Sequence, residues 1–464
     1  MATFAIITFG CQMNVNDSDW LERVLLAHGH EKAPLSTAQC LFCNTCSVRE
    51  KPEQKVRNCL QQIISQRKQD PPALIAVLGC VAQQLGEDFF ALSPHLRLVA
   101  GPDGLPKVPG LVEKLLAEPR LKISLLDFTL SYEEREEGLA VSQGPTAYVN
   151  IMQGCDNFCT YCIVPYTRGR QKSRTFSAIV EECRRKIAQG ACEITLLGQN
   201  VNAYGCDKQA KAARSQGEDF PSFAELLKAI GSLPGLLRLR YTSPHPKDMR
   251  PEDIEAFASL PTLCPQLHLP LQSGSSRVLA RMGRGYDRER YRELVRALRK
   301  ARKDLALSTD LIVGFPGESE EDFEATLAML EECRFLSSFS FCYSDRPGAR
   351  AVTFLDKIPR EIQHARLLRV QNLQDELQKD LLRQRVNTIT QVLLEGPSRR
   401  WNRQGYAWQG RDPYGTLVHV AFDRCAEHRG ELVTAQIFEA GSHCLFARES
   451  SYDGNDLQRT DSQS

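Results

Sequence analysis

Apolar and polar residues along this chain follow three regimes of periodicity. From residue 3 to about 80, short apolar runs at 3–9, 40–44 and 73–79 read as buried strands, and stretches at 17–28 and 50–66 carry the 3.6-residue spacing of helices. Such alternation predicts a parallel sheet with helices on its faces. The same logic resumes with strand 146–152, helix 176–188 and strand 192–197. It continues through LLRLRYTS (236–243), QLHLPLQSGS (266–275), STDLIVGFPGESEEDF (308–323) and FLSSFSFCYS (335–344). Strand–helix units in series predict an incomplete parallel barrel, open on one side, with its site at the strands' carboxyl ends. An opening of that kind suits a macromolecular substrate. After a long polar helix at 358–382 the period shortens, and strands at 386–394, 404–409, 415–423 and 431–438 are punctuated by Gly396, Gly405, Gly410, Gly415 and Gly430. This pattern predicts a small antiparallel barrel.

The fold class is therefore α/β followed by a small β-barrel. Its domains are 1–130 (parallel sheet), a polar linker at 131–144 containing SYEEREEGL, 145–382 (incomplete (β/α)6 barrel), 383–449 (small barrel) and a frayed tail at 450–464. Composition adds limits. A chain of 464 residues is too long for one ordinary core, and a net charge of +1 excludes a global basic field, so any nucleic acid must be drawn by local patches. The opening MATFAIITFG reads as a buried strand rather than a secretion signal, and no stretch reaches about 18 apolar residues. With 17 unevenly spaced cysteines, a reducing, cytoplasmic setting is expected, with no membrane span.

Candidate chemistry centres on GCDNFCTYC (154–162), where Cys155, Cys159 and Cys162 form a CxxxCxxC run. Ferredoxin and zinc sites use other spacings. Three thiolates this close can hold three irons of a 4Fe-4S cluster and leave the fourth iron free to bind a small molecule. Phe158 and Tyr161 would shelter such a cluster from water. Cys11, Cys46 and Cys80 each follow a predicted strand. Ligands of parallel sheets collect beyond the carboxyl ends of strands, so if the three strands are neighbours these cysteines share one edge and can hold a second cluster; otherwise each is an ordinary buried cysteine. Cys43 makes CxxC with Cys46, as in a redox pair or half a zinc site. Strand alternation turns Cys43 toward a helix and Cys46 toward the loop, so Cys40, Cys43 and Cys59 read as structural.

These residues resemble known proteins. Cys155, Cys159 and Cys162 are similar to the signature of radical S-adenosylmethionine (SAM) enzymes. The segments GCQMN (10–14), NTCSVREKPEQKV (44–56) and GCVAQQ (79–84) resemble the N-terminal domain of the methylthiotransferase family within that superfamily, and the likeness extends over about residues 1–445. The resemblance implies two 4Fe-4S clusters, with the auxiliary one on Cys11, Cys46 and Cys80, and SAM on the open iron as the source of a 5′-deoxyadenosyl radical. It implies two SAM per turnover, yielding 5′-deoxyadenosine, methionine and S-adenosylhomocysteine. GCQMN rather than GCPKN resembles the branch that methylthiolates C2 of N6-dimethylallyladenosine at tRNA position 37. The alternatives are the same chemistry on a ribosomal protein aspartate or on threonylcarbamoyladenosine in tRNA.

The resemblance further assigns SAM contacts to Gln199, Asn200, Gln272, Ser273, Gly314, Gly317 and Glu318. No side chain is expected to act as a catalytic acid or base, because an aromatic C–H is far too weak an acid and the cofactor carries the hard step. His268 reads equally as a satisfied interior histidine. The final barrel resembles the TRAM domain of RNA-modifying enzymes. Implied partners are a tRNA anticodon stem-loop, a reductant such as flavodoxin or ferredoxin and a sulfur donor, with the chain acting as a monomer.

Basic clusters supply candidate contacts to RNA phosphates or, for the one after the cysteine loop, to the anionic groups of SAM. Arg168, Arg170, Lys172 and Arg174 follow the cysteine loop; Arg399, Arg400, Arg403 and Arg411 interleave with Trp401, Tyr406 and Trp408 in the final barrel. Residues 277–303 carry eleven Arg or Lys against three Asp or Glu, a phosphate-binding stripe or a solvated helix face. Two positions depart from the family pattern: Gln171 where glutamate is usual, and Ala349 in place of threonine.

Overall fold

Strands Thr3–Thr8, Cys40–Thr45 and Leu74–Gly79 lie side by side within a six-stranded, wholly parallel sheet. Glu31–Lys32 flanks Thr3–Thr8, while Leu96–Ala100 and Ile123–Leu125 extend the other edge. Every residue of Cys40–Thr45 and Leu74–Gly79 is buried, because apolar clusters cover both faces. Trp20, Leu21, Val24 and Leu25 of helix Gln12–Ala27 cover one face; Val56 and Leu60 of helix Pro52–Gln66 cover the other. The computed structural model describes residues 1–47, 52–135, 138, 144–217, 220–398, 407–421 and 428–450.

Helix Gln12–Ala27 begins five residues before the predicted 17–28. Its first turns carry Asn14, Asn16, Asp17 and Ser18, all buried, and so show no apolar stripe. These polar side chains bond neighbouring strand ends instead of water: Asn14 Nδ2 donates to Asn44 Oδ1 and to the Thr45 carbonyl, both at 2.9 Å. Periodicity cannot register a helix whose buried face is polar by design of its neighbours.

The second domain has six parallel strands in two hydrogen-bonded groups. Thr146–Asn150, Glu193–Leu197 and Arg238–Tyr241 form one, and Gln266–His268, Ala306–Val313 and Ser337–Cys342 form the other. The groups are stitched at Leu239, whose amide donates to the Thr262 carbonyl (2.7 Å) and whose carbonyl accepts from Cys264 (3.0 Å). Among the described residues the first and last strands do not pair, so the barrel is open as expected. One continuous apolar core, from Val149 through Leu239 and Leu311 to Val370, lies between strands and surrounding helices.

Strands Ile389–Pro397, Ala407–Arg411, Leu417–Ala421, Leu432–Ala440 and Cys444–Glu449 close a small barrel. The last of these was not foreseen, and it pairs parallel with Leu417–Ala421, so the barrel is not purely antiparallel. Trp408 fills its core beside Val392 and Val418 and is no stacking surface. Arg411 is half-exposed and pairs with Glu395 at 3.4 Å. Arg399, Arg400, Arg403, Trp401 and Tyr406 lie outside the described residues.

The barrel docks on the starts of the second domain's strands. Arg238 donates to the carbonyls of Arg411 (2.7 Å) and Gln391 (2.8 Å), and Arg240 to those of Asp412 (2.8 Å) and Pro413 (2.9 Å). Buried Glu193, first residue of its strand, holds Arg240 at 3.1 Å. The opposite ends of the strands are left for the site.

Candidate functional site

Cys11, Cys46 and Cys80 from the first domain and Cys155, Cys159 and Cys162 from the second line a single cavity of about 290 Å³. The first three sit there because their strands are neighbours in register: Thr8 opposes Asn44, and Thr45 opposes Gly79. Gly10, Gly79 and Gly154 each precede one of the cysteines with φ of +126°, +89° and +79°. A Cβ at these positions would collide with Cys46 Cβ, the Thr45 carbonyl and the Arg170 carbonyl respectively. Glycine here permits the close approach of chains that carries the sulfurs together. Beneath them, Asn44 donates to the Asn14 carbonyl (3.0 Å) and to Ser18 Oγ (3.1 Å), and Thr45 Oγ1 donates to the Leu78 carbonyl (2.6 Å).

The two triads differ in electrostatics. The Cys11 thiol is pulled down to about 5, first by its hydrogen bond with Cys46 and, against burial, by the charge of Arg168. Burial pushes Cys155 up to about 11 and Cys162 up to about 12. Metal binding at Cys155 and Cys162 must therefore displace protons from buried thiols, whereas Cys11 is already biased toward thiolate. Arg168 is buried and lies with Nε 3.2 Å from Cys80 Sγ. Burial alone would disfavour its charge, but Cys80, Asp17, Cys11 and Cys46 together outweigh it.

The donor set fits iron–sulfur clusters. Among the described residues no three His, Cys, Asp or Glu side chains converge as a single metal ion requires. A cluster instead takes one thiolate per iron and needs its cysteines spread around a cavity. Cationic N–H groups face the sulfurs as well. Arg168 Nε faces Cys80 Sγ, and Arg284 Nη1 stands 3.4 Å from Cys159 Sγ and 3.3 Å from Tyr161 Oη. Cys43, by contrast, packs with Val56 and Leu60 of the adjacent helix, and burial holds its thiol well above the ordinary range. Cys40 lies in the core on the other face.

Of the expected SAM contacts, Gln199 and Gln272 line the cavity. Gln199 Oε1 accepts from the Gly154 amide at 2.6 Å and so braces the cysteine loop. The others do not line the cavity. Asn200 is buried and bonded to Asp248 (2.7 Å), and Ser273 is enclosed beside Thr326 (3.5 Å). Glu318 turns back on its own loop, accepting from the Gly314 amide (2.6 Å) and from Arg366 (2.8 Å); burial pushes its carboxyl up to about 7. The Gly317 amide donates to the Asp356 carbonyl at 2.8 Å. Packing from helix Arg360–Arg383, remote in sequence, occupies this turn from behind.

The basic run after the loop faces mostly inward. Arg174 is buried between Glu134 (2.7 Å) and Glu182 (2.5 Å), with Tyr132 under its guanidinium; Lys172 pairs with buried Asp103 at 2.5 Å. With Arg168 turned inward too, these cations face carboxylates of neighbouring segments. Arg170 alone of the four is exposed, over Phe158 and 2.7 Å from Asp156. In the 277–303 stripe, Arg292 is shared between Glu289 and Glu332, which dilutes the field. Gln171 donates to the Ala203 carbonyl at 2.6 Å, a bond a glutamate could not make when ionised. Ala349 is buried in a turn.

Sequence reading missed Thr242, Ser243, Pro244 and His245, although they follow strand Arg238–Tyr241 and obey the same strand-end rule. His245 Nδ1 accepts from the Lys247 amide (3.2 Å) and its buried Nε2 is unpaired. Burial, with Arg284 and Lys247, pushes it down to about 2, so it is a neutral N–H donor at the cavity. A second cavity of about 190 Å³ adjoins the first through Tyr161, Cys162, Val164, Gln272 and Asp310. Ile163, Ile312, Phe341 and Tyr343 make it largely apolar. His268 stays outside both linings, between Ser308 (3.0 Å) and Asp310 (3.3 Å).

An open six-stranded barrel whose first strand delivers CxxxCxxC, facing a second cysteine triad, defines a radical SAM enzyme. Comparisons agree: residues 149–330 match the Radical SAM superfamily, and residues 3–101 match the uncharacterized protein family UPF0004. The radical SAM methyltransferase TsrM from Kitasatospora setae, solved with cobalamin and a 4Fe-4S cluster, shares the fold, with a TM-score of 0.52 at 13% identity over 73% of this chain and 71% of that one. The tRNA-2-methylthio-N(6)-dimethylallyladenosine synthase of Nitratidesulfovibrio vulgaris (strain DP4) is 52% identical over 448 residues, covering 96% of this chain and 98% of the relative. That of Lawsonia intracellularis is 51% identical over 451 residues, with the same coverage. The chain belongs to this family of tRNA-2-methylthio-N(6)-dimethylallyladenosine synthases. 4Fe-4S clusters and SAM are the cofactors that go with it.

Proposed function

We infer that this chain adds a methylthio group to C2 of N6-dimethylallyladenosine at position 37 of tRNA, using two SAM per turnover. The observation that carries this reading is the convergence of both cysteine triads on one cavity. Cys155, Cys159 and Cys162 would hold the cluster that takes SAM, and Cys11, Cys46 and Cys80 the one that bears sulfur. When bound, these groups supply a carbon radical and a sulfur donor. The chain supplies the rest: Gln199 and the Gly154 turn fix the loop, and Tyr161 and Arg284 screen it from water.

The adjoining apolar cavity favours the dimethylallyl substrate over the alternatives. Ile163, Ile312 and Phe341 offer contact to a five-carbon hydrocarbon chain, with Arg346 and Asp310 also on the lining. Exposed Arg170 and the three arginines at 399, 400 and 403 are assigned to the anticodon stem-loop. A flavodoxin or ferredoxin, a sulfur donor and a monomeric, cytoplasmic setting complete the reading; no helix among the described residues is long and apolar enough to cross a membrane.

The test is anaerobic reconstitution with SAM, reductant and dimethylallylated tRNA, reading the modified nucleoside by mass. A methylthio adduct on that adenosine is expected, and Phe341→Asp should reduce it at least tenfold. SAM cleavage with no modified nucleoside would sink the assignment.

A further inference from the structure

We propose that Arg168 is a positioning residue for the Cys11, Cys46 and Cys80 site: its guanidinium, held by Asp17, donates to the Cys80 sulfur and raises the reduction potential of the cluster bound there. The inference rests on reading those cysteines as iron–sulfur ligands. Covalently, Arg168 belongs to the other triad, since it closes the short helix Val164–Thr167 that follows Cys162. Spatially it crosses the domain boundary. Nε lies 3.2 Å from Cys80 Sγ, Nη1 lies 3.8 Å from Met13 Sδ, and Nη2 lies 3.9 Å from the Asp17 carboxylate.

Asp17 is what aims it. This buried carboxylate also takes Arg135 at 2.7 Å, so one acid on the first domain's helix gathers cations from the interdomain segment and from the second domain's loop. Arg168 also lines the cysteine cavity, so its charge lies at the site that Cys11, Cys46 and Cys80 share. Arg168 is thus oriented before any ligand arrives.

A cluster on three thiolates is anionic and becomes more so on reduction. A buried cation with an N–H at a ligand sulfur stabilises the reduced form more than the oxidised one, which raises the potential. Arginine suits the task because its charge survives burial and its fork can hold acid and sulfur at once. Lysine keeps the charge without the fork, and glutamine keeps a donor without the charge.

The experiment uses the full chain carrying Cys155→Ala, Cys159→Ala and Cys162→Ala, so that only the first domain's cluster remains, with the midpoint potential read by electron paramagnetic resonance during redox titration. Arg168→Gln should shift the midpoint to lower potential, and Arg168→Lys should shift it less. An unchanged midpoint in Arg168→Gln overturns the proposal. If that variant binds no iron, Arg168→Lys decides in the same way, and loss of iron in both assigns Arg168 a purely structural role and also overturns it. A parent chain that binds no iron would instead refute the cluster reading of Cys11, Cys46 and Cys80.

Discussion

Replacing Gly79 with alanine strikes the joint between two strand ends on which the first cysteine triad depends. Gly79 ends its strand at φ +89°, ψ −154°, a region open essentially to glycine alone. It opposes Thr45, the residue before Cys46, and a methyl group there would collide with the Thr45 carbonyl and stand 2.8 Å from Asn44 Oδ1. Backbone strain costs about 1–3 kcal/mol and overpacking against main chain a further 1–3 kcal/mol or so. The sum, roughly 2–6 kcal/mol, is a large part of a typical stability of about 5–15 kcal/mol. Relief requires the two strand ends to part, and with them Cys46 and Cys80. Gly29 is the internal control: its φ is +81°, but no atom lies within 4 Å of its added Cβ, so Gly29→Ala carries only the strain of about 1–2 kcal/mol. Urea unfolding and iron content after anaerobic reconstitution measure both effects. Gly79→Ala should lose at least about 1 kcal/mol more than Gly29→Ala and retain about half the iron of the parent. Equal stability and full iron in the two variants would refute the argument.

Three further outcomes are expected. Cys11→Ala, Cys46→Ala and Cys80→Ala combined should still cleave SAM to 5′-deoxyadenosine but yield no methylthio nucleoside; product from that variant would remove the second triad from the reaction. Asp322 sits at about 2: burial, the largest single influence, raises it, but bonds from Arg277, Ser275 and Ser319 together outweigh burial. A folded-state value below the unfolded one stabilises fully above pH 4 and fades as pH falls toward 2, a loss of about 1 kcal/mol after solvent screening. Asp322→Asn should flatten that acid limb, and parallel acid-unfolding curves would contradict it. Arg240→Ala strips Glu193 of its close partner and the C-terminal barrel of two carbonyl contacts, at a cost of about 3–5 kcal/mol. Limited proteolysis should then cut after helix Arg360–Arg383, where an undocked barrel would expose the chain; protection equal to the parent's would speak against this docking.

The amino-acid sequence by itself determined the elements whose signals are local. Strand and helix alternation follows from periodicity, and the CxxxCxxC loop is legible because covalent spacing alone keeps three thiols together. Glycine before Cys11, Cys80 and Cys155 was visible as a repeated Gly-Cys pair, though its reason, three close chain approaches, was not. Tertiary structure decided everything that depends on which distant segments meet. Cys11, Cys46 and Cys80 share an edge only because their strands pair as neighbours. TRGRQKSR reads as a basic surface in any one-dimensional view, yet Arg168, Lys172 and Arg174 turn inward because residues 17, 103, 134 and 182 bring carboxylates to them. Likewise only the fold brings helix Arg360–Arg383 against Gly314–Glu318, through Gln363 and Arg366. Charge and periodicity are properties of a residue and its near neighbours; the direction a side chain faces is set by partners that only the folded chain supplies.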